Sequence, residues 1–162
     1  MARGTKSLFS LTTVFASFFG AALIAGAFAY FNYKFSEYKF IDFKRFVFYK
    51  SNDIFKPTKE RYIVIFFSSK EPDAVKKIKA LHLKTPILAI DYYNNKIQSS
   101  KDTLFLRSGT NTTLKFIQRF NIYDEPSLFI IKKVKSSLYK QDSMIRKFDS
   151  LDKITKNIEK EL

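Results

Sequence analysis

Four carboxylates stand in two short loops: Glu71 and Asp73 follow one apolar run, and Asp124 and Glu125 precede another. Paired carboxylates carry acid–base chemistry when their surroundings split their pKa values, and they bind hard cations through oxygen. Solvated caps and turns beside many lysines account for the same side chains with no chemistry at all. His82 is the single histidine, so the chain lacks both a triad base set and three or four nitrogen and sulfur ligands for zinc. Beside Leu81, Leu83 and Lys84 it reads as a cation near a helix end. Cysteine is absent, which removes thiolate chemistry and suits an oxidising compartment. Ser108-Gly109-Thr110-Asn111 leads into a helix without the spacing of a phosphate loop and reads as a turn. No catalytic residue, metal ligand set or cofactor is expected.

The element that fixes location is Ser7 to Tyr33, 27 residues without a charge between Lys6 and Lys34. As a helix it reaches ~40 Å, enough to cross a ~30 Å hydrocarbon core with tilt. A cleavable signal peptide competes with this reading, because Arg3 and Lys6 give a basic start and Ala27-Phe28-Ala29 has the form of a cleavage site. An apolar stretch of 18 residues from Leu8 to Ala25 exceeds an ordinary signal core and favours an uncleaved anchor. Phe28, Tyr30, Phe31 and Tyr33 then form an interfacial aromatic belt. Small residues at i+4 spacing (Ala21, Ala25, Ala29) permit close helix packing and a homo-oligomer. Lys34, Lys39, Lys44 and Arg45 after the span argue for a cytoplasmic C-terminus. The short basic start, single span and missing cysteine argue for the periplasmic side of a bacterial inner membrane, the placement expected here.

Beyond the span, 27 basic residues face 15 acidic ones, a net charge of +12 that attracts polyanions and anionic lipid. The basic residues are 23 lysines and six arginines in the whole chain, a balance that speaks against base-specific nucleic-acid reading. Aromatics crowd after the span, from Phe35 to Tyr49. They read either as a snorkelling interfacial segment or as a continued helix, Phe35–Phe43, followed by a strand, Lys44–Lys50. The expected division is a basic tail over 1–6, an anchor over 7–33, a juxtamembrane aromatic and basic segment over 34–60, and an α/β domain over 61–162.

Within that domain, Tyr62 to Phe67 is a continuous apolar run, as for a strand buried on both faces. A helix follows with Pro72 and Asp73 in its first turn and Val75, Ile78 and Leu81 on one face. Ile87–Tyr92 is a second strand. A helix capped by Asn111 or Thr112 presents Leu114, Ile117 and Phe120. Ser127–Ile131 and Met144–Phe148 form a hairpin, and Ser150 caps a last helix with a Leu151, Ile154, Ile158, Leu162 stripe. This βαβ, α, ββα order gives a mixed sheet flanked by helices.

That order, with Pro126 just ahead of the third strand, resembles the thioredoxin-like fold over about Arg61–Leu162. Phe66-Phe67-Ser68-Ser69 matches the strand that leads to the family's W-C-x-x-C loop, and Pro126 matches its cis-proline. Where the cysteines should stand, this chain has Glu71 and Ala74 in one register or Lys70 and Asp73 in the other. The resemblance therefore implies the fold and its peptide-docking groove without redox catalysis. On that basis Glu71, Pro72, Asp124, Glu125 and Pro126 are expected to line a partner contact. The expected role is a non-enzymatic, membrane-anchored structural or adaptor subunit, bound to other envelope proteins in a larger complex and to lipid through residues 7–33. A likeness to accessory components of flagellar motors and secretion machines rests on composition. The alternative is an anchored chaperone or assembly factor for envelope proteins.

Overall fold

The structure, a computed structural model, describes residues 10–158. The chain divides after Tyr38 into two compact units. The first holds α1 (Leu11–Glu37), started by Ser10, whose hydroxyl accepts the Thr13 N–H at 3.2 Å. Nine Leu, Val, Ile and Phe side chains between Leu11 and Phe31 are at least half exposed. Burial in an apolar medium would gain ~1.5–3 kcal/mol for each. Its stretch Leu11–Tyr33 is long and apolar enough to cross a membrane. Those properties serve an anchor or an export signal alike. Arg3, Lys6 and Ser7 lie outside the described residues.

The second unit is a mixed α/β layer structure. Among the described residues it has nine strands: β1 (Phe40–Asp42), β2 (Tyr49–Lys50), β3 (Asp53–Ile54), β4 (Arg61–Phe67), β5 (Ile87–Asp91), β6 (Thr103–Arg107), β7 (Ser127–Lys135), β8 (Leu138–Gln141) and β9 (Arg146–Lys147). Three helices join them: α2 (Ala74–Lys79), α3 (Thr110–Phe120) and α4 (Leu151–Ile158). Across the sheet the order is β1-β8-β7-β4-β5-β6-β2-β3, with β9 also on β7. β4, β5 and β6 run parallel, and β7 runs antiparallel to β4.

This sheet cannot lie flat. Seven residues from Asp42 to Tyr49 reach ~25 Å at most. Yet β1 and β2 stand six positions apart in the sheet, ~29 Å at ordinary strand spacing. The sheet curls until its two edges come within reach of the bridging segment. Phe43, Phe46 and Phe48 of that segment, with Phe55 just after β3, are buried against Tyr62, Val64, Phe66, Leu88, Phe116, Phe129 and Tyr139 on the concave face. On the other face, α2 and α4 cover Ile63, Ile65, Phe67, Ile87 and Ala89 with Ala74, Ile78, Leu151 and Ile154.

Several expected elements differ. Of residues 34–60, those to Glu37 continue α1, whereas Lys39 onward belongs to the sheet unit. The helix does not run to Phe43; Phe40–Asp42 is a strand. Only Tyr49–Lys50 of Lys44–Lys50 is strand, because Phe43, Phe46 and Phe48 turn inward at a spacing that fits neither period. Pro72 and Asp73 precede α2, with Asp73 in the left-handed region at φ 56°. Strand β6 was not expected, and Gly109 is the N-cap of α3. The hairpin partner of β7 is β8, reached through Ser136 at φ 42°; the expected strand near Met144 contributes only β9. Leu151 and Ile154 are buried as expected, while Leu162 lies outside the described residues and the Ile158 side chain is not among those described.

Of the residues expected on the inner face of α3, Phe120 is buried and Ile117 packs against the core, but Leu114 faces out. The helix buries Thr113, Phe116 and Phe120, whereas Leu114 is 52% exposed. The reason is polar: the Thr113 hydroxyl lies 2.8 Å from that of Ser108 and 3.1 Å from Asn94 Nδ2, so a threonine can occupy the inner face. Phe116 contacts Phe48, Phe66, Phe120 and Phe129. Phe116→Ala is expected to cost ~3–5 kcal/mol in denaturant unfolding of the detergent-solubilised chain, and Leu114→Ala within ~0.5 kcal/mol of zero. Equal losses at the two positions would refute this helix phase.

Candidate functional site

The carboxyl ends of β4 and β5 open onto three loops, where parallel sheets place their ligand crevices. Asp91 ends β5 and is 1% exposed. Its carboxylate accepts the backbone N–H groups of Ser69 (2.9 Å), Tyr93 (3.2 Å) and Asn95 (2.8 Å). Asn95 Nδ2 in turn donates to Ser69 Oγ at 2.7 Å. One buried carboxylate thus ties the loop after β4 to the loop after β5.

Phe66 pairs with Ser127, which brings the Asp124–Pro126 loop to the same end of the sheet. The Glu125–Pro126 bond is cis, Pro126 is buried, and its carbonyl accepts the Phe148 N–H at 3.1 Å. Ser127 Oγ donates to the Asp124 carbonyl. Partial burial of the Glu125 carboxyl raises its pKa; the Ser68 hydrogen bond opposes that rise, and the charges of Asp91 and Glu71 add to it.

Of the five expected contact residues, Glu71 and Glu125 come close enough to couple electrostatically. Glu71 also accepts the Leu151 N–H at 3.2 Å, at the start of α4, and lies 4.0 Å from Lys77. The α4 N-terminus favours such a negative group. Pro72 is exposed beside it. Asp124 turns to Lys147 at 2.9 Å, and Lys147 lies over the Tyr123 ring. Asp73, the fourth carboxylate of the two loops, pairs with Lys76 at 2.9 Å, whose hydrogen bond and charge lower its pKa. His82 is exposed.

Sequence reasoning missed Asp91, Ser68 and Asn95. A readable signal did exist for Asp91, since an acid closing an apolar strand ahead of Tyr-Tyr-Asn-Asn is placed to accept turn amides. The cluster holds carboxylates, hydroxyls and an amide. No sulfur or imidazole nucleophile is present, and no group of three or more His, Cys, Asp and Glu among the described residues is placed to hold a metal ion. Asp91 has its acceptor sites committed to backbone. What the arrangement offers is a rigid, charged loop platform. No protein-family model matches the chain, and no curated protein matches its sequence.

Two outcomes follow from the wiring. Asp91→Asn leaves at least one of these part-buried N–H groups without an acceptor and is expected to cost ~1 kcal/mol or more, with faster amide exchange at Ser69 and Asn95. For Glu125, a raised folded pKa means that its contribution to stability is full below the ordinary value of 4.5 and is lost as pH climbs through the raised value. Glu125→Gln should therefore raise the thermal midpoint at pH 7 and leave it unchanged near pH 3.5. An identical shift at both pH values would refute the coupling.

Proposed function

We propose that the chain is a non-enzymatic, single-pass membrane-anchored adaptor or structural subunit of a bacterial envelope assembly. In this reading its sheet unit is a thioredoxin-like domain without a redox nucleophile, held on the periplasmic side. The observation that carries it is the meeting of the Ser68–Asp73 loop with the Asp124–Pro126 loop at one end of the sheet, set by the pairing of Phe66 with Ser127. In thioredoxin-like proteins that junction is where an extended partner peptide docks beside the cis-proline. Support for the fold comes from the order β5-β4-β7-β8, with α2 joining the first two strands, α3 ahead of β7 and α4 closing the unit. Strand β6 and the β1–β3 segment are additions to that pattern.

The sequence contains no cysteine, so the same frame is left with recognition as its task. Glu71, Asp124 and Glu125 would present carboxylates, and the exposed Pro72 a proline edge, to basic or backbone N–H groups of a partner, with buried Pro126 supporting the loop beneath them. Membrane association would keep the partner in the same envelope layer, as in the motor and secretion assemblies that the composition brings to mind.

Lysine crosslinking in intact membranes, followed by purification in mild detergent and mass spectrometry, tests this reading. One dominant partner at fixed ratio is expected. The Glu71→Lys/Glu125→Lys double variant should recover about tenfold less of it, a change of ~1.4 kcal/mol. Undiminished recovery by the variant would sink the proposed contact, and a spread of unrelated clients would favour a chaperone role.

A further inference from the structure

On the sheet face that carries Ile63, Ile65 and Phe67, α2 and α4 leave one end bare. The register there sets Phe40 opposite Lys140, Lys140 opposite Lys132, and Lys132 opposite Arg61, across β1, β8, β7 and β4. Residues directly opposite in antiparallel strands project from one face. Arg61, Lys132 and Lys140 are exposed, and Phe40 is half-buried. Arg61 is paired with Asp142, but Lys132 and Lys140 have no ion pair among the described residues.

Directly opposed like charges destabilise an isolated sheet. An anionic surface laid against them would turn that cost into a gain. The surroundings fit a lipid headgroup layer. Lys140 Nζ lies 5.4 Å from the Phe40 ring centre, so cation and aromatic ring share one patch. A cleft of about 370 Å³ opens beside Lys140, lined also by Lys39, by Asp142, whose charge Arg61 neutralises, and by Met144, which is 86% exposed. Lysines with apolar side chains between them are the composition of an interfacial surface. Phe40 also follows the last residue of α1 by only three positions, at most ~11 Å of chain.

We propose that this bare cationic sheet end, built on Phe40, Lys132 and Lys140, docks onto anionic phospholipid headgroups of the membrane that α1 enters. The inference rests on α1 acting as an anchor. A domain so docked is held by two points, its tether and its sheet face.

The full chain, reconstituted in nanodiscs of phosphatidylcholine alone or with one third phosphatidylglycerol, would be treated with an amine-reactive label and read by mass spectrometry. Lys132 and Lys140 should label roughly fivefold more slowly in the anionic discs, the factor for ~1 kcal/mol per near-surface lysine. Raising the salt to ~1 M, where the screening length falls to ~3 Å, should abolish the difference. Exposed Lys115 on α3 serves as the unchanged reference. Equal labelling in both discs, or protection independent of lipid charge, overturns the inference. Protection seen only in native membranes, with crosslinks to an acidic protein, overturns it in favour of that partner. Carbonate washing of the same discs reports the anchor separately. A chain that stays with the bilayer yet labels equally refutes the docking alone, whereas a chain that is extracted refutes both.

Discussion

Six consecutive residues of β4, Tyr62 to Phe67, are buried, and their side chains alternate between two cores. A strand in that position must be covered on both faces and paired on both sides, because no part of its backbone reaches water. Pairing is supplied by β5 in parallel and β7 in antiparallel. Cover comes from α2 and α4 on one face, and from α3 with the Phe43–Phe55 segment on the other. Parallel pairing needs a crossover, so α2 is forced into place. The loop that leaves β4 is then held over the carboxyl end of β5, where Asp91 binds its amide.

The concave face adds a constraint of its own. Phe43 lies edge-on to Phe55 and to Tyr139, and Tyr139 packs against Tyr62. Such ring pairs gain ~0.5–1.5 kcal/mol beyond their buried area. The two phenols also find partners: Tyr139 donates to the Lys59 carbonyl at 2.6 Å, and the Tyr62 hydroxyl accepts the N–H groups of Thr58 and Lys59. Burial above all, with the neighbouring Tyr62 and Glu60, pushes the Tyr139 pKa up to about 12. The phenol is therefore neutral and donating at neutral pH. This cluster ties the segment that enters the sheet to the loop that leads into β4, and it holds the curl that the short bridge demands.

The parts of this structure legible in the sequence are those where one force acts alone. Tyr62–Phe67 and Ile87–Asp91 are apolar without interruption, and hydrophobic burial is enough to make them strands. The burial of Thr113 in place of Leu114 was not legible, because the Thr113 hydroxyl is satisfied by Asn94, from the loop after β5, together with Ser108 just ahead of α3. Strand β6 was hidden for a related reason: Thr-Leu-Phe-Leu-Arg is short, and its role depends on an edge of β5 that only the folded sheet provides. The long β7 continues through Lys132-Lys133-Val134-Lys135, where ladder hydrogen bonds outweigh the polar composition. At the candidate site the meeting of the two loops followed from the order of elements. The partners each carboxylate chose did not, since Lys147, Lys77 and Leu151 arrive from the far end of the chain or from a neighbouring helix.

The charges of the sheet unit divide along β4. Around its carboxyl end, most acids are paired with a base: Asp73 with Lys76, Asp124 with Lys147, and Asp152 with Lys77, while Glu125 lies beside other carboxylates. Around its amino end, Lys132 and Lys140 face each other across the ladder. Six residues of strand separate the ends by ~20 Å. The screening length at physiological salt is ~8 Å, so the field of one end is largely spent before it reaches the other. Coupling between them would then have to travel through the strand itself, which is buried and paired on both sides. In the proposed roles, a strand with electrostatically independent ends would let one domain hold a lipid surface at one end and a partner at the other without either weakening the other's grip.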